Sequence, residues 1–252
     1  MKFRGILFDV GGVFHVPRED PRREYAFIRK ALRILEQAGI ALSPGAGTTV
    51  EKLQEMIRAG EAEYRNYAVA SHRELPPGRI WTEYFLKALN LPPERLAPSR
   101  AEELCRLYEG RRRLIPRPAI RRTIESLRGM GLRQGIVSNV TSAAFTLRRL
   151  KRYRIASFME TVILSSVTGI RKPDPAIFEI ALDALGLKAA ECVYVGDQIS
   201  RDLLGGRKAG MGAVILFRPA ESQEIPPEAR DLKPDLYVDS FTSIQDFCSE
   251  NR

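Results

Sequence analysis

The chain has 252 residues, 44% of them hydrophobic, and a formal net charge of +9. That length can bury a sizeable core without disulfide help, either as one large domain or as a core with an insert. No run reaches the roughly 18 uninterrupted apolar residues of a membrane span, and Phe3-Arg4-Gly5-Ile6-Leu7 does not read as a cleavable signal, so a cytoplasmic protein with no membrane partner is expected.

The first apolar run, Ile6-Leu7-Phe8, ends in Asp9 and is followed by Val10-Gly11-Gly12-Val13. Continuous rather than alternating apolar residues are what a parallel strand covered on both faces requires. From about Val16 to Arg113 no convincing β run occurs. Amphipathic stretches follow one another instead: Tyr25, Ile28, Leu32 and Leu35, then Leu53, Met56 and Ile57, then Trp81, Phe85 and Leu89. Pro76-Pro77-Gly78, Pro92-Pro93 and Pro98 punctuate them as turns. Structureless loops beyond about 15 residues are uncommon in compact proteins, so residues 16–112 read as an inserted helical domain.

Strand-like runs then resume at Ile136-Val137, Val162-Ile163-Leu164, Val193-Tyr194-Val195 and Val214-Ile215-Leu216-Phe217. A helix-period segment through Ile177, Ile180, Ala181, Ala184 and Leu185 stops at Gly186. Pro219 to Pro234 reads as an exposed connection. Strands alternating with helices predict an α/β fold with a doubly wound parallel sheet, its core formed by residues 1–15 joined to 113–252.

Cys105, Cys192 and Cys248 form no paired motif and read as scattered reduced thiols. With only two histidines, a histidine-rich metal site is excluded, and oxygen ligands favour a hard cation such as Mg²⁺. Of the 40 basic residues 31 are arginine, spread over the whole chain. Clusters such as Arg111-Arg112-Arg113 lack the interleaved aromatics of single-strand binders. No specific nucleic-acid partner is therefore expected, although the positive field would steer small anionic substrates.

Polar groups stand at the ends of the predicted strands or in the loops after them: Asp9, then Ser138 and Asn139, then Lys172, then Asp197 with Asp202 beyond it. In a parallel sheet these ends converge on one edge. A carboxylate, a hydroxyl, a cation and a further carboxylate pair make a coherent set for phosphoryl transfer. Each also has a plain structural reading, as a helix cap, a turn former or a solvated side chain.

This ordered set resembles the haloacid dehalogenase (HAD) superfamily, in which most members are phosphatases, and the resemblance spans nearly the whole chain. It implies a Rossmann-like core with a helical C1 cap, and a small phosphorylated metabolite as substrate. Asp9 is implied as nucleophile, Ser138 and Asn139 as groups that bind the phosphoryl substrate, and Lys172 as the neutralising cation. Mg²⁺ is implied as cofactor, held by Asp9, the Gly11 carbonyl, Asp197 and Asp202, the last directly or through water. The short stretch between Ser138 and Lys172 leaves no room for a C2 cap.

The family's phosphatases carry a second acid two positions after the nucleophile, where this chain has Gly11. Glycine can neither protonate a departing alkoxide nor activate water, and such help is typically worth ~10²–10⁴ in rate. Activated aryl or acyl phosphates are therefore the expected substrates. His15 is the neighbouring side chain suited to proton transfer, with a purely local hydrogen-bonding role as the simpler expectation. Two other readings stand beside the phosphatase. One is a metal-independent 2-haloacid dehalogenase, and the other is a non-catalytic protein that keeps the fold to bind a ligand. The sequence leaves substrate and oligomeric state open.

Overall fold

The structure is a computed structural model that describes residues 3–40, 50–87, 96–218 and 225–251. In chain order the elements are β1 (Gly5–Phe8), β2 (His15–Arg18), α1 (Pro21–Gln37), α2 (Val50–Ser71), α3 (Pro77–Ile80), a π-helical turn (Trp81–Phe85), α4 (Pro98–Glu109) and β3 (Arg113–Pro116). They continue with α5 (Ile120–Gly129), β4 (Arg133–Ser138), α6 (Ala143–Arg152), β5 (Thr161–Leu164), α7 (Ser165–Thr168), α8 (Ala176–Leu185) and β6 (Cys192–Gly196). A second π-helical turn (Ile199–Leu203), α9 (Leu204–Lys208), β7 (Ala213–Phe217), β8 (Leu236–Val238) and α10 (Phe241–Glu250) complete the chain.

Two compact units result, one of Met1–Pro17, Leu114–Val140 and Thr146–Arg252, the other of Arg18–Arg113 and Thr141–Phe145. The first is an α/β unit built on a six-stranded sheet of order β5-β4-β1-β6-β7-β8, every pairing parallel. Both faces of such a sheet are covered, which is why β1, β6 and β7 are buried at every position. Leu7, Val137, Phe178, Tyr194, Val214 and Leu216 share one cluster of this core.

Strand order reverses around β1, and the register puts Phe8 opposite both Ile136 and Val195. The carboxyl ends of β4, β1 and β6 therefore open side by side, the place where open α/β sheets bind ligands. The sheet reading of the sequence holds, with β8 as an addition too short to register as an apolar run.

The second unit is helical. Asp20 caps α1 by accepting from the Arg23 amide at 3.2 Å, with Pro21 opening the helix, as expected of an N-cap acid followed by proline. Its core gathers Phe27, Leu35, Leu53, Trp81, Phe85 and Tyr108, with Trp81 edge-on to Phe85 at 5.1 Å. Residues 141–145 group with this unit because the Thr141 amide and hydroxyl both donate to Glu109 at 2.9 Å.

Two expectations need correction. The interval from Val16 to Arg113 is not free of strand, since β2 and β3 pair as a separate two-stranded sheet; their prolines and arginines hid them. Tyr25 is 51% exposed, so the buried face of α1 runs through Phe27, Ile28, Ala31, Ile34 and Leu35. Tyr64 is buried in the core of the helical unit and hydrogen-bonded to Glu74. Leu89, Pro92-Pro93 and residues 219–224 lie outside the described residues. All three cysteines are buried and unbridged. Among the described residues no helix is long and apolar enough to cross a membrane.

Candidate active site

Asp9 leaves β1 at the edge between β4 and β6, and it is only 4% exposed. Two donors meet on one of its oxygens, Oδ1. The Ser138 hydroxyl, from the last residue of β4, donates at 2.7 Å, and the Lys172 ammonium approaches to 2.9 Å. Lys172 is itself buried. It donates to Asp202 Oδ1 at 2.6 Å and to the Tyr194 hydroxyl at 2.7 Å, so its three hydrogens have three acceptors.

Asp202 sits behind this cluster, fully buried. Its Oδ1 accepts from Lys172 and from Tyr194 at 2.8 Å, and its Oδ2 from the amides of Asp197 and Gln198 at 3.0 Å each. Four donors occupy both oxygens. Burial pushes the Asp202 carboxyl up, but the Lys172 and Arg201 charges pull it below the ordinary carboxylate value. The backbone at Gly196 is correspondingly tight, because a Cβ there would lie 2.2 Å from the Asp202 Cβ.

Asp197 differs. Burial first, then the Asp202 and Asp9 charges, push its carboxyl up to about 7. Ligand oxygens of Asp9, Asp197 and Asp202 lie within 4.8 Å of one another, and the cations beside them are Lys172 and Arg201. Three carboxylates outnumber these two cations, and the crowded negative charge adds to burial in raising Asp197. A hard divalent cation fits that deficit and that oxygen donor set.

The flap after Asp9 supplies no comparable side chains. Val10, Val13 and Phe14 are buried and apolar. A Cβ at Gly11 would meet nothing within 4 Å, whereas Gly12 has φ +72° and a Cβ there would stand 1.9 Å from Asp197 Oδ2. Gly12 is therefore required both by its left-handed backbone and by the carboxylate packed against it. His15 is buried, with Nδ1 2.9 Å from the Tyr153 hydroxyl. Burial, aided by the Arg149 charge, lowers it to about 4, so it holds no spare proton near neutrality.

Two sequence expectations change. Asn139 was expected to bind substrate, yet its Nδ2 donates to the Lys172 carbonyl at 3.0 Å and its Oδ1 accepts the Lys172 amide at 2.9 Å. Its amide clamps the loop that carries Lys172. Asp202 was expected to support the metal directly or through water; here both its oxygens accept donors, which tie it to Lys172 and to the Asp197 amide. Sequence reasoning missed Tyr194, which sits inside an apolar run and reads as core; burial and the Asp202 and Asp9 charges drive its phenol well above its ordinary range.

A family model for haloacid dehalogenase-like hydrolases matches residues 3–210. A glyceraldehyde 3-phosphate phosphatase of Methanopyrus kandleri is 27% identical over 250 residues, covering 98% of this chain and 97% of the relative. A phosphoserine phosphatase of Thermus thermophilus is 32% identical over 149 residues, 59% of this chain and 57% of its own. Among solved structures, a 2-haloacid dehalogenase from Pseudomonas syringae has a TM-score of 0.65 at 22% identity, covering 98% and 99% of the two chains. A HAD phosphatase from Thermococcus onnurineus has a TM-score of 0.61 at 19% identity, with 97% of each chain covered. At such identities the structural likeness concerns the fold.

Proposed function

The chain belongs to the haloacid dehalogenase-like hydrolases, and on that premise we propose that it is a Mg²⁺-dependent phosphatase of small phosphorylated metabolites, acting through an aspartyl-phosphate at Asp9. The observation that carries this reading is the convergence of the Ser138 hydroxyl and the Lys172 ammonium on Asp9 Oδ1. With Oδ1 held, Oδ2 is the oxygen free to attack phosphorus, and the leaving oxygen departs with the bonding electrons. The same hydroxyl and ammonium can then turn to the oxygens of the transferred group, whose charge they neutralise in a buried setting.

Asp9, Asp197 and the Gly11 carbonyl would hold Mg²⁺, with Asp202 fixing Asp197 through its amide. When bound, the ion shields the negative charge of the transferred group. Tyr194 and Asp202 keep Lys172 directed at Asp9, and Asn139 keeps the backbone of that lysine in place.

Proton supply is the weak part. Gly11 offers no proton to the leaving oxygen and no base to the water that opens the aspartyl-phosphate, and His15 is engaged with Tyr153. We expect acyl and aryl phosphates, whose oxygens leave without protonation, to be preferred. Glyceraldehyde 3-phosphate and phosphoserine, the substrates in the relatives' names, are alkyl phosphates and should turn over slowly here. The dehalogenase reading is disfavoured by the buried surplus of carboxylate charge, for which carbon–halogen displacement has no use.

A metabolite-phosphate panel with Mg²⁺, run beside Asp9→Asn, is the test. The expected result is Mg²⁺-dependent phosphate release, reduced by roughly 10⁴ or more in the variant as befits loss of a nucleophile. Phosphate release that survives Asp9→Asn, or halide release from chloroacetate without metal, would overturn the reading.

A further inference from the structure

Arg117 lies just past β3, between Pro116 and Pro118, where the chain has re-entered the α/β unit. Its backbone amide donates to the Phe14 carbonyl at 3.0 Å, and its side-chain Nε donates to the Gly12 carbonyl at 2.9 Å. The guanidinium carbon stands 4.0 Å from the centroid of the Phe217 ring, at the end of β7. Planar stacking on an aromatic face combined with a directed N–H bond suits guanidinium chemistry and not a point charge on a flexible stem.

The flap is also closed by a backbone bond from the Phe14 amide to the Val10 carbonyl at 3.0 Å and by a bridge between Gly11 and His15. Arg117 thus grips two of its carbonyls from outside and ties them to the sheet. Gly12 is the residue whose backbone packs directly on the Asp197 carboxylate. A continuous contact path runs from the Phe217 ring through Arg117 and the Gly12 carbonyl to Asp197. Burial lowers the Arg117 guanidinium from its ordinary value, while the Asp197 and Asp239 charges favour its protonated form.

We propose that Arg117 is a positioning residue for the metal centre, holding the Gly11–Gly12 turn so that Asp197 keeps its ligand geometry. The proposal rests on the metal reading above and assigns a part to a residue outside the strand-end set. Groups that support metal ligands from behind are usually worth 10–100-fold in affinity.

Calorimetric titration with Mn²⁺ as probe, on wild type, Arg117→Met, Arg117→Lys and Arg218→Met, tests it without recourse to activity. Arg218 is the control, since it lies near an aromatic ring, Tyr237 at 5.9 Å, and pairs with Asp239. Arg117→Met should weaken Mn²⁺ binding by about tenfold or more, with Arg117→Lys between it and wild type and Arg218→Met unchanged. With substrate, the Mg²⁺ concentration for half-maximal rate should rise more than the saturated kcat falls. An affinity within about twofold of wild type in folded Arg117→Met overturns the proposal. If that variant does not fold, a wild-type affinity in Arg117→Lys overturns it equally. Wild type that binds no Mn²⁺ would instead bring down the metal reading itself.

Discussion

The two sides of Asp9 are built to different standards. On the side of β4, β6 and the Lys172 loop the polar groups form one connected network: Ser138 on Asp9, Lys172 on three acceptors, Asp202 on four donors. On the flap side, residues 10–14 present apolar side chains and two glycines, and His15 is turned to Tyr153. One side over-determines where charge is held; the other leaves proton transfer to the solvent or the substrate. A site can therefore be fully organised for nucleophilic attack and still be selective through what it lacks.

The sharpest way to break that comparison is Lys172→Met. It leaves Asp9 and Asp202 buried without their shared cation, and breaking a buried pair in this way costs about 3–5 kcal/mol. Urea unfolding should show that loss, and phosphate release should fall with it. Stability within experimental scatter of wild type would mean that the network is decorative.

Next in size is Gly11→Asp, which works on the bare side. The position has open space and an ordinary backbone, so the new carboxyl should fit. Alkyl phosphate turnover should rise by about 10² while aryl phosphate turnover changes little, because only the former needs a proton. An equal rise for both substrates would show that Gly11 does not set leaving-group preference.

The smallest effect concerns His15. Burial holds it at about 4 against an ordinary 6.5, so its contribution to stability is present above pH 6.5 and is lost as pH falls towards 4. The loss is on the order of 3 kcal/mol. Asp197, raised from 3.8 to about 7, works in the opposite sense: its contribution is complete below 3.8 and is lost as pH rises towards 7. The two slopes oppose each other in the metal-free protein. His15→Gln should leave only the Asp197 trend, so that denaturant midpoints climb as pH is lowered from 7 to 4; an unchanged profile would mean that His15 is not buried as described.

Much of this was legible in the sequence because its signals are local. Ile6-Leu7-Phe8 and Val214 to Phe217 are apolar without interruption, and that alone marks parallel strands. The order of Asp9, Ser138, Lys172 and Asp197 along the chain, set on strand ends, is enough to bring them to one edge. What stayed hidden depends on three-dimensional partners. Nothing in Ser138-Asn139 says that the asparagine amide closes on the backbone of Lys172. Tyr194 looks like core until its hydroxyl is seen between Lys172 and Asp202, and Arg117 is one of 31 arginines until its Nε is found on the Gly12 carbonyl. Strands β2 and β3 failed for a simpler reason, being short and rich in proline and charge.

The central place of β1 has a consequence for how the protein is made. Its four residues need partners that begin at Arg133 on one side and at Cys192 on the other, contacts of long sequence separation that form late. The helical unit is drawn almost wholly from one continuous stretch, Arg18–Arg113, and can organise as soon as that stretch emerges during synthesis. A nascent chain that stops short of Cys192 would carry Asp9 on a strand with one open edge and without Asp197 or Asp202. Asp9 is synthesised well before the residues that complete its surroundings.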